Sequence, residues 1–250
     1  MKTIVITGGS AGIGAAAARL LVAGGYQVVV AARGVETLAE VVRELGPSAR
    51  AVVADVTRRA DVERIRDEAI SVFGRIDVWI NNAGKGITKS VQELTDDDLD
   101  EMVTVNVRSV LYGIQAIVPY FKEQGSGHVI NVSSFLARVP VAPQRSAYSA
   151  SKAAVNSLTT NLRQELAASH PGIHVTTVMP GIVLTEFARN ARGGGPVPAP
   201  AVPGAAMQPQ TAEQVAEVIA AVIETPRPEA YTNPASPGIA RRFFDEIRAF

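Results

Sequence analysis

Short apolar runs alternate along the chain with longer segments in which apolar positions recur every three or four residues. The runs are TIVIT at 3–7, QVVVA at 27–31, AVV at 51–53, DVWI at 77–80, HVINV at 128–132 and HVTTV at 174–178. They are rich in Val and nearly continuous in apolar character, the pattern of strands covered on both faces. Residues 14–23 and 36–45, between the first runs, carry the helical period. Strands separated by helices predict a parallel sheet with helices on both sides, joined by right-handed crossovers into a doubly wound α/β fold. Ligands of such sheets sit beyond the carboxyl ends of the strands, so chemistry is expected directly after each run.

Further along, Thr95 followed three residues later by Asp98 reads as a capping box. It opens a long helix running towards Phe121, with Asp96, Asp97 and Asp98 at the positive end of its dipole. From Gly193 to Pro209 the chain is dominated by Gly, Pro and Ala, which excludes a core helix or a central strand. A helix resumes after Thr211, through Ala216 and Ile223, and a short amphipathic one closes the chain around Phe243 and Ile247. The irregular stretch suggests a substrate lid at about 186–210 that orders on binding. Residues 1–250 are otherwise expected to form one domain, because no linker interrupts the alternation before residue 190.

Composition narrows the function classes. Lys plus Arg and Asp plus Glu both total 24, so no global field draws the chain to nucleic acid or an anionic membrane. With 47% hydrophobic and 19% charged residues it has ample apolar surface for a core. There is no Cys, which excludes disulfides and thiolate chemistry and suits a reducing compartment. The first strand begins at Lys2 with no room for a secretory signal, so a cytoplasmic protein is expected. No metal is expected: Pro171-Gly172 separates His170 from His174, and the chain has only 3 His. Arg241-Arg242-Phe243-Phe244 reads as a subunit interface or lid support rather than a membrane contact, and a homodimer or homotetramer is expected.

Three constellations carry chemistry. The first run passes directly into TGGSAGIG at 7–14 and then a helix. Gly8, Gly12 and Gly14 allow a tight turn and close approach of a pyrophosphate to backbone N–H groups, and the helix N-terminus adds partial positive charge. The second run ends Ala31-Ala32-Arg33. Ala32 cannot accept hydrogen bonds from ribose hydroxyls, whereas Arg33 can pair with a 2′-phosphate, so NADP(H) is favoured, with NAD(H) as the alternative. Tyr148 and Lys152 lie four residues apart in a segment of high helix propensity, which places phenol and ammonium on one face. The cation is expected to lower the Tyr148 pKa towards working pH. Ser133 and Ser134 follow directly on a strand. Alternation sends only one of them to the ligand side, and Ser134 is preferred as the group orienting a substrate oxygen.

These motifs, in this order, resemble the short-chain dehydrogenase/reductase family, of the single-domain Rossmann type. TGGSAGIG, Asp55-Val56, NNAG at 81–84, Asn106, Ser134, Tyr148 with Lys152, and Pro180-Gly181 leading to Thr185 carry the likeness from Lys2 to about Thr185. It implies a cofactor site built from Gly8, Ser10, Gly12, Ile13, Gly14, Arg33, Asp55, Val56, Asn82, Ala83, Gly84, Tyr148, Lys152, Pro180, Gly181, Ile182 and Thr185. Within it Asp55 binds the adenine amino group, Val56 lines the adenine pocket, and Asn82 and Gly84 border the adenosine ribose. Lys152 holds the nicotinamide ribose, and Ile182 and Thr185 contact the carboxamide. The implied catalytic set is Asn106, Ser134, Tyr148 and Lys152, with Asn106 holding a water that links Lys152 to solvent. Ser134 precedes Tyr148 by 14 positions, one more than the family's usual spacing. Each residue also has a plainer use: Asp55 as a turn former, Asn106 as a satisfied helix amide, Thr185 as a helix cap.

The expectation is an NADP(H)-dependent oxidoreductase interconverting a small-molecule carbonyl and alcohol, with Tyr148 as general acid/base. An NAD-dependent alcohol dehydrogenase of the same fold and a non-catalytic dinucleotide sensor are the alternatives.

Overall fold

Strand alternation explains how the apolar runs fill two layers at once. In β1 (Thr3–Thr7), Ile4 and Ile6 point into one helical layer and Val5 into the other, and all are fully buried. In β2 (Gln27–Ala32), Val28 and Val30 join the first layer, Val29 and Ala31 the second. The computed structural model describes residues 1–187, 190–193 and 207–248. The remaining strands are β3 (Ala49–Val53), β4 (Val78–Asn81), β5 (Gly127–Val132), β6 (Ile173–Met179) and β7 (Glu229–Tyr231). They form one seven-stranded sheet in the order β3-β2-β1-β4-β5-β6-β7, parallel throughout. The order reverses between β1 and β4, and that switch point is where the crevice of a doubly wound sheet opens.

The helices are α1 (Gly12–Ala23), α2 (Val35–Leu45), α3 (Arg59–Phe73), α4 (Asp96–Met102), α5 (Ser109–Gln124), α6 (Ser146–Ala167), α7 (Ala212–Glu224) and α8 (Ser236–Arg248). One face of the sheet is covered by α1, α2 and α7, the other by α3, α5 and α6. The capping box at Thr95 forms as expected: its hydroxyl accepts from the Asp98 N–H at 3.3 Å and Asp98 accepts from the Thr95 N–H at 3.0 Å. The helix it opens does run on past Phe121, but through a π-helical turn at Val103–Arg108 that joins α4 to α5. Among the described residues, no helix is long and apolar enough to cross a membrane. The expected lid falls largely outside the described residues, at 188–189 and 194–206.

Inside the second layer, polar groups form a closed chain. Trp79 Nε1 donates to Asn81 Oδ1 at 2.8 Å, Asn81 Nδ2 to Asn131 Oδ1 at 2.8 Å, and Asn131 Nδ2 to Thr159 Oγ1 at 2.9 Å. Asn81 is thus committed to the core, and a Cβ on Gly113 would lie 2.1 Å from its Oδ1.

His128 is the buried group most exposed to acid. It holds Thr176 Oγ1 at 2.8 Å through Nε2, and burial, with His174 and Lys2 adding to it, pushes its pKa down from 6.5 to about 3. Below pH 6.5 the unfolded chain takes up this proton while the folded one does not, so stability is full above about 6.5 and is lost as pH falls towards 3. Unfolding free energy from urea titration should fall by roughly 2–3 kcal/mol between about pH 7 and 4.5. His128→Gln should flatten that slope; an unchanged slope would show the loss arises elsewhere.

Candidate functional site

A cleft of about 1060 Å³ opens over the carboxyl ends of the strands at the switch point, from Arg33 to Tyr148 and Phe187. Every candidate site residue except Gly14 and Asn106 lines it, including Ser10, Ile13, Val56, Pro180, Gly181 and Ile182.

The glycine turn is shaped by steric exclusion. Gly8 and Gly12 have φ of +68° and +51°, a region that disfavours side chains. A Cβ on Gly8 would lie 2.8 Å from the Ala83 Cα, and one on Gly14 only 2.3 Å from the Gly8 carbonyl oxygen. Gly14 therefore stays behind the cleft, holding α1 tight against the turn. Asn82 ties the turn to β4: its Nδ2 donates to the carbonyls of Thr7 and Gly8 at 3.0 and 3.2 Å. The Thr7 hydroxyl accepts from the N–H groups of Asn82 and Ala83 at 3.1 Å each. The first turn of α1 has neither a capping side chain nor an acidic residue, which leaves its positive end open to an anion. Thr185 stands over this turn, its methyl 3.4 Å from where a Gly12 Cβ would be, while its hydroxyl accepts from the Phe187 N–H at 3.3 Å.

Towards the far end, Asp55 makes the turn that sequence allows it: Oδ1 accepts from the N–H and hydroxyl of Thr57 at 2.9 and 2.7 Å. Its own N–H is fixed by Asp61 at 2.9 Å. Arg33 is exposed at the cleft wall and has no hydrogen bond or ion pair among the described residues.

At the other end Ser134, Tyr148 and Lys152 converge. Ser134 starts a short 3₁₀ turn, accepting from the Leu136 N–H at 3.2 Å, and its hydroxyl also bonds the Tyr148 phenol. Ser133 is turned into the protein, donating to the Lys152 carbonyl at 3.1 Å. Lys152 is 3% exposed, donates to the Val132 carbonyl at 2.9 Å, and is pushed by burial from 10.5 down to about 8. Its Nζ lies 6.0 Å from the Tyr148 ring centroid.

One expectation is corrected here. Tyr148 is not lowered by Lys152: burial raises its pKa, and the groups pulling it back down are the Ser134 hydroxyl and the Arg145 charge. Lys152 spends its ammonium on Val132 instead. The Asn106 side chain is tied to the loop that follows Gly84. Its Oδ1 accepts from the Lys85 N–H at 2.8 Å, and its Nδ2 donates to the Lys85 carbonyl at 2.9 Å and to Ser151 Oγ at 3.0 Å. From the π turn it clamps the loop after Gly84, whose absent Cβ would sit 3.4 Å from Lys152 Nζ.

Sequence reasoning passed over Arg145 and Phe187. Arg145 precedes Tyr148 by three residues, a helical neighbour visible once Tyr148 is singled out. Phe187, whose ring packs edge-on at 5.6 Å from that of Tyr148, carries no local signal.

Strand order and a cleft at the switch point define a doubly wound α/β protein of Rossmann type. Residues 2–194 match the short chain dehydrogenase family. An uncharacterized oxidoreductase of Staphylococcus saprophyticus is 39% identical over 187 residues, covering 74% of this chain and 76% of that protein. A short chain dehydrogenase/reductase from Burkholderia phymatum, solved in complex with NAD, superposes with a TM-score of 0.87 at 27% identity, covering 99% of this chain and 94% of that one. An alcohol dehydrogenase from the archaeon Thermococcus sibiricus, complexed with 5-hydroxy-NADP, gives 0.80 at 26% identity over 94% and 97%. The chain belongs to the short-chain dehydrogenase/reductase family of oxidoreductases.

Proposed function

We propose that this protein is an NADP(H)-dependent oxidoreductase that interconverts a small-molecule carbonyl and alcohol, with Tyr148 as the proton donor and acceptor. The observation that carries the reading is the convergence of Ser134, Tyr148 and Lys152 in the same cleft as the glycine turn. The site fits a dinucleotide. The missing side chains of Gly8 and Gly14 let α1 and the Ala83 backbone close tightly on the turn, and the open end of α1 faces it. The structural relatives bound to NAD and to 5-hydroxy-NADP support the same cofactor class.

When bound, the nicotinamide group supplies or accepts the hydride. The residues of this chain manage the oxygen. Ser134 and Tyr148 present hydroxyls to it, and Tyr148 delivers its proton as negative charge develops there. With a pKa of about 8, Lys152 is mostly protonated at neutral pH, a buried positive charge one turn from the phenol. Asn106 holds the 84–85 loop against Ser151 and so keeps α6 in register with the cleft wall. Asp55 and Val56 form the adenine end, with Asn82, Ala83 and Gly84 along the floor and Ile182 and Thr185 above.

The choice of NADP(H) rests on Arg33, a guanidinium unpaired among the described residues, next to Ala32, whose side chain brings no carboxylate to repel a 2′-phosphate. Initial rates on a panel of aldehydes and ketones, followed by loss of NADPH or NADH absorbance, test both parts. Wild type should use NADPH with a kcat/KM at least about tenfold above NADH, and Arg33→Ala should erase most of that ratio by raising KM for NADPH. A preference for NADH in the wild type would overturn the cofactor assignment.

A further inference from the structure

We propose that Arg145 anchors an anionic substrate: the compound this cleft takes carries a carboxylate close to its reacting carbonyl or alcohol, and the Arg145 guanidinium binds it. The inference rests on the oxidoreductase reading above and names its substrate class.

Arg145 immediately precedes α6 and lies three residues before Tyr148, so the two side chains rise from the same face at the start of that helix. It lines the cleft, yet is only 7% exposed. Nη1 donates to the Ile87 carbonyl at 3.2 Å. Among the described residues the rest of the guanidinium has no hydrogen-bond partner and no carboxylate within ion-pair distance. Arg33, unpaired among the described residues, stands at the opposite end of the cleft beside Ala32, and three further cations are spent. Lys85 is paired with Glu101 at 2.5 Å, Arg192 with Asp98 at 2.7 Å and Glu101 at 3.0 Å, and Arg19 with Glu44 at 2.8 Å.

A buried guanidinium without a counter-charge is costly, and one aimed into a ligand cleft is resolved by a ligand that brings the charge. The chain makes room for it: a Cβ on Gly86 would lie 2.9 Å from Nη1 and 3.0 Å from Phe187 Cε1. Burial pulls the Arg145 pKa down, with only Tyr148 opposing, which agrees with the missing carboxylate. The planar fork matches a carboxylate in bidentate fashion. Phe135, Leu136, Ala142 and Phe187 add apolar lining to the cleft that Arg145 and Tyr148 share.

The test compares oxo acids with their neutral esters. Pyruvate, acetoacetate and levulinate, each paired with its methyl ester, are assayed with wild type, Arg145→Met and Arg145→Lys. Wild type should favour at least one acid over its ester by about tenfold or more in kcat/KM. Arg145→Met should lose that preference through KM, the acid falling at least about tenfold further than its ester, and Arg145→Lys should keep part of it. An equal fall for acid and ester would mean that Arg145 serves Tyr148 or the fold, and a wild type without acid preference would equally overturn the proposal. Binding separates this from failure of the oxidoreductase reading. By calorimetry, butyrate but not butyramide should bind wild type, and neither should bind Arg145→Met; wild type that ignores butyrate refutes the anchor whatever the turnover assays give. Circular dichroism melts confirm that the variants fold.

Discussion

Replacing Tyr148 with phenylalanine is expected to lower kcat by about 10²–10⁴, the usual range for removing a positioned general acid, while dinucleotide affinity stays within a few fold. The substitution removes one oxygen and little else. The ring stays in its apolar setting beside Ile87, Met102 and Ala147, with Phe187 against its edge. The hydroxyl's partner in the fold is Ser134, which keeps a bond from the Leu136 N–H when the phenol is gone. Stability should therefore change little, and the loss should appear in turnover. Steady-state kinetics with the best substrate of the panel, beside a dinucleotide titration, provides the check. Full turnover in the variant would remove Tyr148 from the mechanism; collapse of dinucleotide binding as well would make its role structural.

The second large effect is expected at Gly14. An alanine there would bring its Cβ to 2.3 Å from the Gly8 carbonyl oxygen and 2.7 Å from Asn82 Nδ2. Neither neighbour can retreat cheaply. Gly8 is already against Ala83 Cα, and Asn82 Nδ2 is the group that bonds the Thr7 and Gly8 carbonyls. Relief must come from moving α1 away from the turn, which widens the cradle just where a phosphate needs close backbone N–H groups. Gly14→Ala should weaken dinucleotide binding by more than about tenfold and cost roughly 1–3 kcal/mol of stability. Gly25→Ala is the control, with φ of +84° but nothing within 4 Å of its Cβ position. It should lose only about 1 kcal/mol of stability to backbone strain and bind dinucleotide as wild type does. Equal binding by the two variants would show that the turn holds no phosphate.

What could be read in the chain before folding, and what could not, divides along a physical line. Strands buried on both faces must be apolar throughout, so six of the seven stood out, with boundaries off by a residue or two. β7, at three residues, is too short to make a pattern, and α3 buries only Val62, Ile65 and Ala69 on an otherwise charged surface. The capping box at Thr95 was legible because its bonds span three residues, whereas the one at Thr211, where only a helix start was read, emerged with the fold. The same holds for the glycine turn and the Tyr148–Lys152 spacing, whose geometry is set by the local backbone.

Properties that depend on distant neighbours were not legible. The direction of the Tyr148 pKa shift is set by burial, by Ser134 across a loop and by Arg145, and not by the cation four residues away. The two asparagines at 81 and 82 read alike, yet one closes a core network with Asn131 and the other pins the glycine turn. Asn106 became a clamp on Lys85 because a π turn and a loop meet there. By itself the sequence determined the doubly wound class, six of the strands and the short-range motifs, since each follows from periodicity or from contacts within one turn; the strand order with its switch point came from the fold. Only tertiary structure decided which charges remain unpaired and which hydroxyls face the cleft, because desolvation and pairing arise from residues the chain brings together over tens of positions.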